Sequence, residues 1–169
     1  MWQVVIIVIV IAMMVGPICM MRPSGRDARE AKQRDKAREL GLSVYLSKLP
    51  SESSIQHAKT YAIYSLAWPE KKLKNNDNVL KWTLEQKKYE HAIHFHGRWD
   101  WFGDRKAPEE NYASLRDFLN DMPLGVAALA STQSGLGVYW DESLSEETPE
   151  QAVNIIYKKL YDLMCAITM

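Results

Sequence analysis

The chain contains only two cysteines, Cys19 and Cys165. Cys19 lies in an apolar stretch and Cys165 lies near the other end, so we expect no disulfide between them, as in a reducing compartment. The net charge is zero at pH 7, which disfavours a nucleic-acid partner, because domains that bind nucleic acid carry a net basic surface. No internal repeat occurs, which argues against a repeat architecture.

The common catalytic motifs are also missing. The sequence has no HExxH, no paired CxxC, no phosphate-binding Walker loop, no dinucleotide-binding glycine fingerprint, no nucleophile elbow and no set of kinase motifs. The sequence therefore favours a protein that is not an enzyme and needs no cofactor.

The first stretch of the chain, Trp2 to Met21, has no ionisable side chain. As a helix it would be about 30 Å long, which is the thickness of the hydrocarbon core of a bilayer. A cleaved signal peptide would need a basic start and a small-residue cleavage site, and Gly16 to Cys19 does not supply such a site. A buried helix of a globular protein is the other alternative. We predict that residues 1–21 form one transmembrane anchor.

Basic residues predominate directly after this stretch. Residues 22–41 contain seven basic and four acidic side chains, and basic residues next to a span are retained in the cytoplasm. This predicts a single-pass protein of the inner membrane whose C-terminal domain is cytoplasmic. Residues 22–41 would form a basic juxtamembrane helix or linker. Four side chains there are candidates for contact with anionic lipid: Arg22, Arg26, Arg29 and Lys32.

Residues 42–169 are long enough for one domain with a core. Alternating or β-branched segments predict strands, and apolar residues at helical spacing predict helices. The predicted strands are 42–47, 60–68 and 79–84, with a hairpin of 126–131 and 137–141 around the turn 133–135. The predicted helices are 108–121 and one that starts at Thr148. This predicts an α+β fold, with a mostly antiparallel sheet and two packed helices. Residues 85–102 are ambiguous between a strand at 92–95 followed by an aromatic loop and a bent extension.

Three histidines, His91, His94 and His96, form a histidine cluster. On a strand His94 and His96 would point to the same face, as two metal ligands do. Such a site would suit zinc and hydrolysis. No carboxylate or cysteine set completes the site, so histidines that are present without a metal role are the simpler interpretation.

An aromatic and basic segment follows the histidines. Its candidate interaction residues are Arg98, Trp99, Trp101, Phe102 and Arg105. Tryptophan and arginine are enriched where proteins contact each other. Packing in the core or contact with a protein ranks first, and the alternatives are insertion into the membrane interface and stacking on bases.

Two further patterns have simple structural interpretations. Asp141 and Glu142 could act as acid and base, but adjacent strand residues face opposite ways, so we expect surface residues at the end of a strand. Gly135 and Gly137 are expected to serve a turn.

Several short runs carry a family resemblance: Arg22-Pro23-Ser24, Arg38-x-Leu40-Gly41-Leu42-x-Val44-x-Leu46, Leu49-Pro50 and Val138-Tyr139-Trp140-x-Glu142. In these runs the chain resembles uncharacterised single-pass inner-membrane proteins of Gram-negative bacteria. The resemblance implies a bacterial inner-membrane setting and implies no activity.

The sequence thus predicts a membrane-tethered cytoplasmic interaction module, an accessory or scaffold subunit of an inner-membrane complex. Its partners would be the membrane and other membrane or cytoplasmic proteins. One alternative is a membrane-anchored metal enzyme that uses zinc in the histidine cluster. The other is a peripheral module that binds anionic lipid.

Overall fold

A computed structural model describes residues 2–20, 24–50, 60–69, 81–88, 95–120, 122–144 and 148–168. The helices are α1 (Trp2–Met20), α2 (Gly25–Glu39), α3 (Tyr112–Leu119) and α4 (Pro149–Thr168). The strands are β1 (Ser43–Ser47), β2 (Tyr61–Ala67), β3 (Trp82–Gln86), β4 (Trp99–Trp101), β5 (Val126–Ser131) and β6 (Gly135–Trp140). Two 3-10 turns cover Glu109–Asn111 and Glu142–Leu144.

The six strands form one sheet in the order β1-β2-β6-β5-β3-β4. Every pair of neighbouring strands is antiparallel. The hairpin of β5 and β6 lies in the centre, between β2 and β3, so the strands that are last in the chain hold the sheet together. The predicted α+β class with a mostly antiparallel sheet is confirmed.

One face of the sheet packs against helices. Tyr64, Leu129, Val138 and Trp140 point from the central strands into the core, and each is fully buried. Helix α4 supplies a buried stripe at helical spacing to the same core: Val153, Ile156, Leu160 and Leu163. This spacing is the one that the sequence predicted for the last helix.

Local signals define the ends of α2. The Ser24 hydroxyl accepts from the Asp27 N–H at 3.2 Å, and the Asp27 carboxylate accepts from the Ser24 N–H at 3.1 Å, which is a capping box. At the other end Gly41 has a φ of 82°, and the Leu42 N–H donates to the Ala37 carbonyl at 2.9 Å. This is a Schellman cap, and it turns the chain directly into β1.

Helix α2 packs on the domain, because its residues Gln33 and Ala37 are buried and it contacts α4. The juxtamembrane helix predicted at residues 22–41 therefore forms part of the folded body from Gly25 onward.

Helix α1 has a different environment. Its described side chains, at residues 2–11, 13 and 15, are all exposed. They include Val4, Ile7 and Val8, which are 63%, 58% and 59% exposed. In the described ranges, no helix has both the length and the apolar character that crossing a bilayer requires.

The structure resolves one ambiguity and corrects one local prediction. Residues 85–102, which the sequence leaves ambiguous between a strand followed by an aromatic loop and a bent extension, contain strand β4, which pairs with β3. Gly137 lies within β6 rather than in a turn. Gly135 begins β6 and also closes the hairpin turn, because its carbonyl accepts from the Thr132 N–H at 2.9 Å. A Cβ atom on Gly135 would lie 2.0 Å from the Leu66 carbonyl oxygen, so glycine is needed because β2 and β6 approach closely there.

Candidate interaction surface

The aromatic side chains around β4 mostly pack together. The Trp101 ring lies 5.8 Å from that of Trp82 and 5.0 Å from that of Phe95. Tyr112 of α3 completes the cluster, with its ring 5.0 Å from that of Phe95. Edge-to-face pairs at such distances stabilise a core, so this cluster fixes β4 and α3 relative to each other.

Strand β4 divides the predicted interaction residues. Trp99 is 7% exposed and belongs to the core, and Trp101 is half-buried. Only Arg98, Phe102 and Arg105 are exposed, and Arg98 lies at the opposite end of β4 from the other two. Core packing therefore holds for Trp99 and Trp101, whose rings face the same side because the two residues lie two apart on β4. Protein contact stays a prediction for Arg98, Phe102 and Arg105.

A hollow of about 440 Å³ lies beside Phe102. We call it the contact hollow, and its lining includes Lys81, Thr83, Phe102, Asp104, Arg105 and Thr132. The Phe102 N–H donates to the Thr83 carbonyl at 2.9 Å, which fixes the start of the loop that carries Arg105. The Phe102 side chain is 39% exposed.

The contact hollow combines an apolar ring with a positive rim. Lys81 and Arg105 supply two cations against the one carboxylate of Asp104. An acidic group that entered would meet a net positive charge, and an apolar neighbour could rest on Phe102. The hollow is therefore chemically suited to an acidic peptide segment with an apolar residue.

A second hollow, of about 460 Å³, lies between α3 and α4. Its apolar floor includes Phe118 and Leu163, and its rim mixes Asp117 and Asp162 with Lys158. Because the rim has both signs of charge, it favours no charged partner over another.

The histidine cluster falls mostly outside the described residues, because only His96 is described. The His96 Nε2 atom lies 3.3 Å from the Asn120 Oδ1 atom. Among described residues no group of three potential metal ligands occurs. The metal site stays a prediction.

The predicted lipid-facing residues have different surroundings. Arg22 lies outside the described residues. The exposed Arg26 pairs with Glu30 at 2.8 Å, whereas Arg29 is half-buried and Lys32 is exposed. Because Arg26 is paired and Arg29 is half-buried, Lys32 is the candidate that is exposed and has no ion pair in the described part of the chain.

The expectation that Asp141 and Glu142 are surface residues is wrong. Both are 5% exposed. The Asp141 carboxylate accepts from the Ser143 hydroxyl at 2.6 Å. The Glu142 carboxylate accepts from Arg34 of α2, at 3.0 Å from Nε and 2.5 Å from Nη2.

Tyr64 of β2 completes the environment of Glu142. Its hydroxyl donates to the Glu142 Oε1 atom at 2.5 Å. Burial and then the negative charge of Glu142 raise the pKa of Tyr64 well above its ordinary value. The hydrogen bond from Arg34 to Glu142 raises the pKa of the Arg34 guanidinium. The group therefore holds a carboxylate, a guanidinium and a neutral phenol, and it ties α2 to the sheet.

The Arg34–Glu142 pair spans 108 residues of chain. No local signal in the sequence indicates it.

No protein-family model, no curated protein and no solved structure matches the chain.

Proposed function

We propose that the protein is a membrane-tethered interaction module, an accessory or scaffold subunit of an inner-membrane complex, with its folded domain on the cytoplasmic side. The single observation that carries the proposal is the exposure of apolar side chains on every side of the described part of α1, residues 2–11, 13 and 15. A helix of a water-soluble domain hides one apolar face against a core, whereas an all-round apolar surface is stable in lipid.

In its described residues, helix α1 falls short of what crossing a bilayer requires, and the proposal needs the bilayer to make up a small difference in length. Its 19 residues extend about 28 Å at the usual rise per residue, against about 30 Å of hydrocarbon. A bilayer thins to accommodate a short span at a cost of a fraction of a kcal/mol per ångström.

The charges after α1 support the cytoplasmic side. Arg26, Lys32 and Arg38 are exposed on α2, and basic residues next to a span favour the inner leaflet. Anionic lipid headgroups would attract Lys32 by about 1 kcal/mol, and would attract Arg26 and Arg38 less, because each of these pairs with a carboxylate. This attraction assists the tether, and the apolar helix supplies most of its free energy.

The contact hollow is the proposed binding place for the partner protein. Phe102 offers an exposed apolar ring, and Lys81 and Arg105 offer charge for acidic residues. A rigid strand pair and the aromatic cluster hold this end of the sheet, so little order has to be gained on binding.

The tether is tested by fractionation and by topology. The full chain is expected in the membrane pellet after an alkaline wash, and a reporter that is active only in the periplasm, fused after Met169, is expected to stay silent. Intact full-length chain in the aqueous supernatant contradicts the tether. Strong reporter activity reverses the orientation.

The interaction is tested by a photoreactive amino acid placed at Phe102 in intact cells. One discrete crosslinked partner is expected. The matched control is Leu124, which is 59% exposed. Leu124 lies just before the start of β5, whereas the contact hollow lies at the end of that strand. Arg105→Glu is expected to reduce the adduct at least tenfold, whereas Arg38→Glu, a charge reversal on α2, leaves it unchanged. Equal labelling from positions 102 and 124 contradicts the proposed contact surface.

A further inference from the structure

Strand β1 lies at the edge of the sheet, and within the described ranges no strand pairs with its outer side. Natural edge strands carry charges, prolines or bulges that prevent pairing with other chains. The five residues of β1 read Ser-Val-Tyr-Leu-Ser and have none of these. Two large apolar side chains are exposed there: Tyr45 is 47% and Leu46 is 58% exposed.

The sequence of β1 is also close to symmetric about its middle residue. If a second β1 runs antiparallel with Tyr45 opposite Tyr45, then Ser43 faces Ser47 and Val44 faces Leu46. Each residue therefore meets one of the same chemical kind, and directly opposed aromatic and aliphatic pairs stabilise antiparallel strands. This is the self-complementarity that a two-fold interface requires.

We propose that two copies of this chain join edge to edge through β1, in antiparallel register centred on Tyr45, to form one continuous twelve-stranded sheet from the six strands of each copy. A second copy fits this edge better than an unrelated extended peptide. The reason is that antiparallel pairing of two β1 strands places serine opposite serine, tyrosine opposite tyrosine and valine opposite leucine. The strand also has no charged residue that would select a partner of opposite charge.

The geometry suits two chains in one bilayer. In antiparallel pairing, residues directly opposite each other point to the same face of the sheet. Val44 of each copy then lies on the face that α2 and α4 cover, so both helical layers lie on one side of the joined sheet. Two tethers could therefore enter one membrane.

The strength of the contact depends on the tether, and in this respect the inference rests on the proposed function. Five opposed residues give about four to six inter-strand hydrogen bonds, and such an edge alone makes a weak dimer in dilute solution. Confinement to one membrane raises the effective concentration of one copy around the other. A short flexible linker has the same effect and gives effective concentrations in the millimolar range.

The test is disulfide crosslinking of the full chain, with Cys19 and Cys165 replaced by serine. Tyr45→Cys places two thiols directly opposite each other, so mild oxidation in membranes is expected to give a covalent homodimer. Ser43→Cys alone is the matched control. Its thiols would lie about 13 Å apart, four residues out of register, which is beyond the reach of a disulfide. Ser43→Cys combined with Ser47→Cys restores the crosslink.

Leu46→Lys, on the Tyr45→Cys background, is expected to reduce the homodimer at least tenfold, whereas Tyr161→Lys, at a residue of similar exposure (52%) on α4, leaves it unchanged. Equal crosslinking from positions 43 and 45, no homodimer from position 45, or an adduct with another protein there overturns the proposal.

The same oxidation is repeated on the purified chain at millimolar concentration. If fractionation disproves the tether, the homodimer crosslinked at position 45 is still expected with the purified chain at this concentration. Absence of the tether and absence of pairing through β1 are therefore distinguished.

Discussion

Replacing Glu142 with glutamine removes one negative charge from a side chain that is 4% exposed and keeps its size. Arg34 then loses an ionic partner that it contacts with two nitrogens, and the Tyr64 hydroxyl keeps only a neutral acceptor. Breaking a buried ion pair costs about 3–5 kcal/mol. Arg34 is 28% exposed and also contacts Glu30, so we expect a loss of about 2 kcal/mol in the free energy of unfolding.

The assay is equilibrium unfolding of the full chain by urea in a mild detergent, followed by tryptophan fluorescence. Trp140 is a suitable reporter, because its ring is fully buried and lies 5.3 Å from the ring of Tyr64. Glu39→Gln is the matched control. The Glu39 side chain is 67% exposed and pairs with Lys36 at 2.9 Å, and exposed pairs contribute less than about 1 kcal/mol.

Two results would refute this reasoning. One is an equal loss of stability in Glu142→Gln and Glu39→Gln. The other is a double-mutant cycle of Glu142→Gln with Arg34→Met that gives a coupling energy below about 0.5 kcal/mol, since contacting charges couple more strongly than that.

Four further measurements test the buried groups, the sheet and the predicted metal site. Because the pKa of Tyr64 is raised in the native state, the native state keeps a proton that the unfolded state loses above about pH 10. The free energy of unfolding is therefore maintained below that pH and falls above it. Tyr64→Phe should reduce that fall when the free energy of unfolding is measured against pH. Gly135→Ala should cost about 1–3 kcal/mol by forcing β2 and β6 apart, whereas Gly25→Ala, where a Cβ meets nothing within 4 Å, should not destabilise. The amide of Gln33 is buried without a hydrogen-bond partner among the described residues. Gln33→Met should therefore raise the free energy of unfolding by about 1–2 kcal/mol, seen as a higher urea midpoint. A lower urea midpoint would contradict this. Elemental analysis of the purified chain should find less than about a tenth of an equivalent of transition metal, and a full equivalent would revive the histidine cluster as a metal site.

Local patterns predicted much of the fold. Period-two alternation located β1 and part of β3, and the stripe of apolar residues at helical spacing located α4. The helix predicted within residues 22–41 ends at Gly41, whose φ of 82° is a conformation that glycine adopts without strain. These features depend on residues within a few positions of each other, which sequence reasoning can read directly.

Long-range features escaped that reasoning. Strand β4 is only three residues long, so Trp99 and Trp101 give a single period of alternation, which is too short to distinguish a strand from an aromatic loop. The burial of Glu142 depends on Arg34 from a distant helix. The order of the strands depends on which segments meet in space, and local alternation carries no information about that.

The position of the β5–β6 hairpin in the middle of the sheet has a consequence during synthesis. Strand β2 leaves the ribosome long before Gly135, the residue that pairs with Ala67 at its end. At roughly 5–20 residues per second, the early strands wait several seconds without their central neighbours. A nascent chain interrupted before that hairpin has the outer pairs β1–β2 and β3–β4 but lacks the strands that join them. Premature termination at that point therefore leads directly to degradation or aggregation.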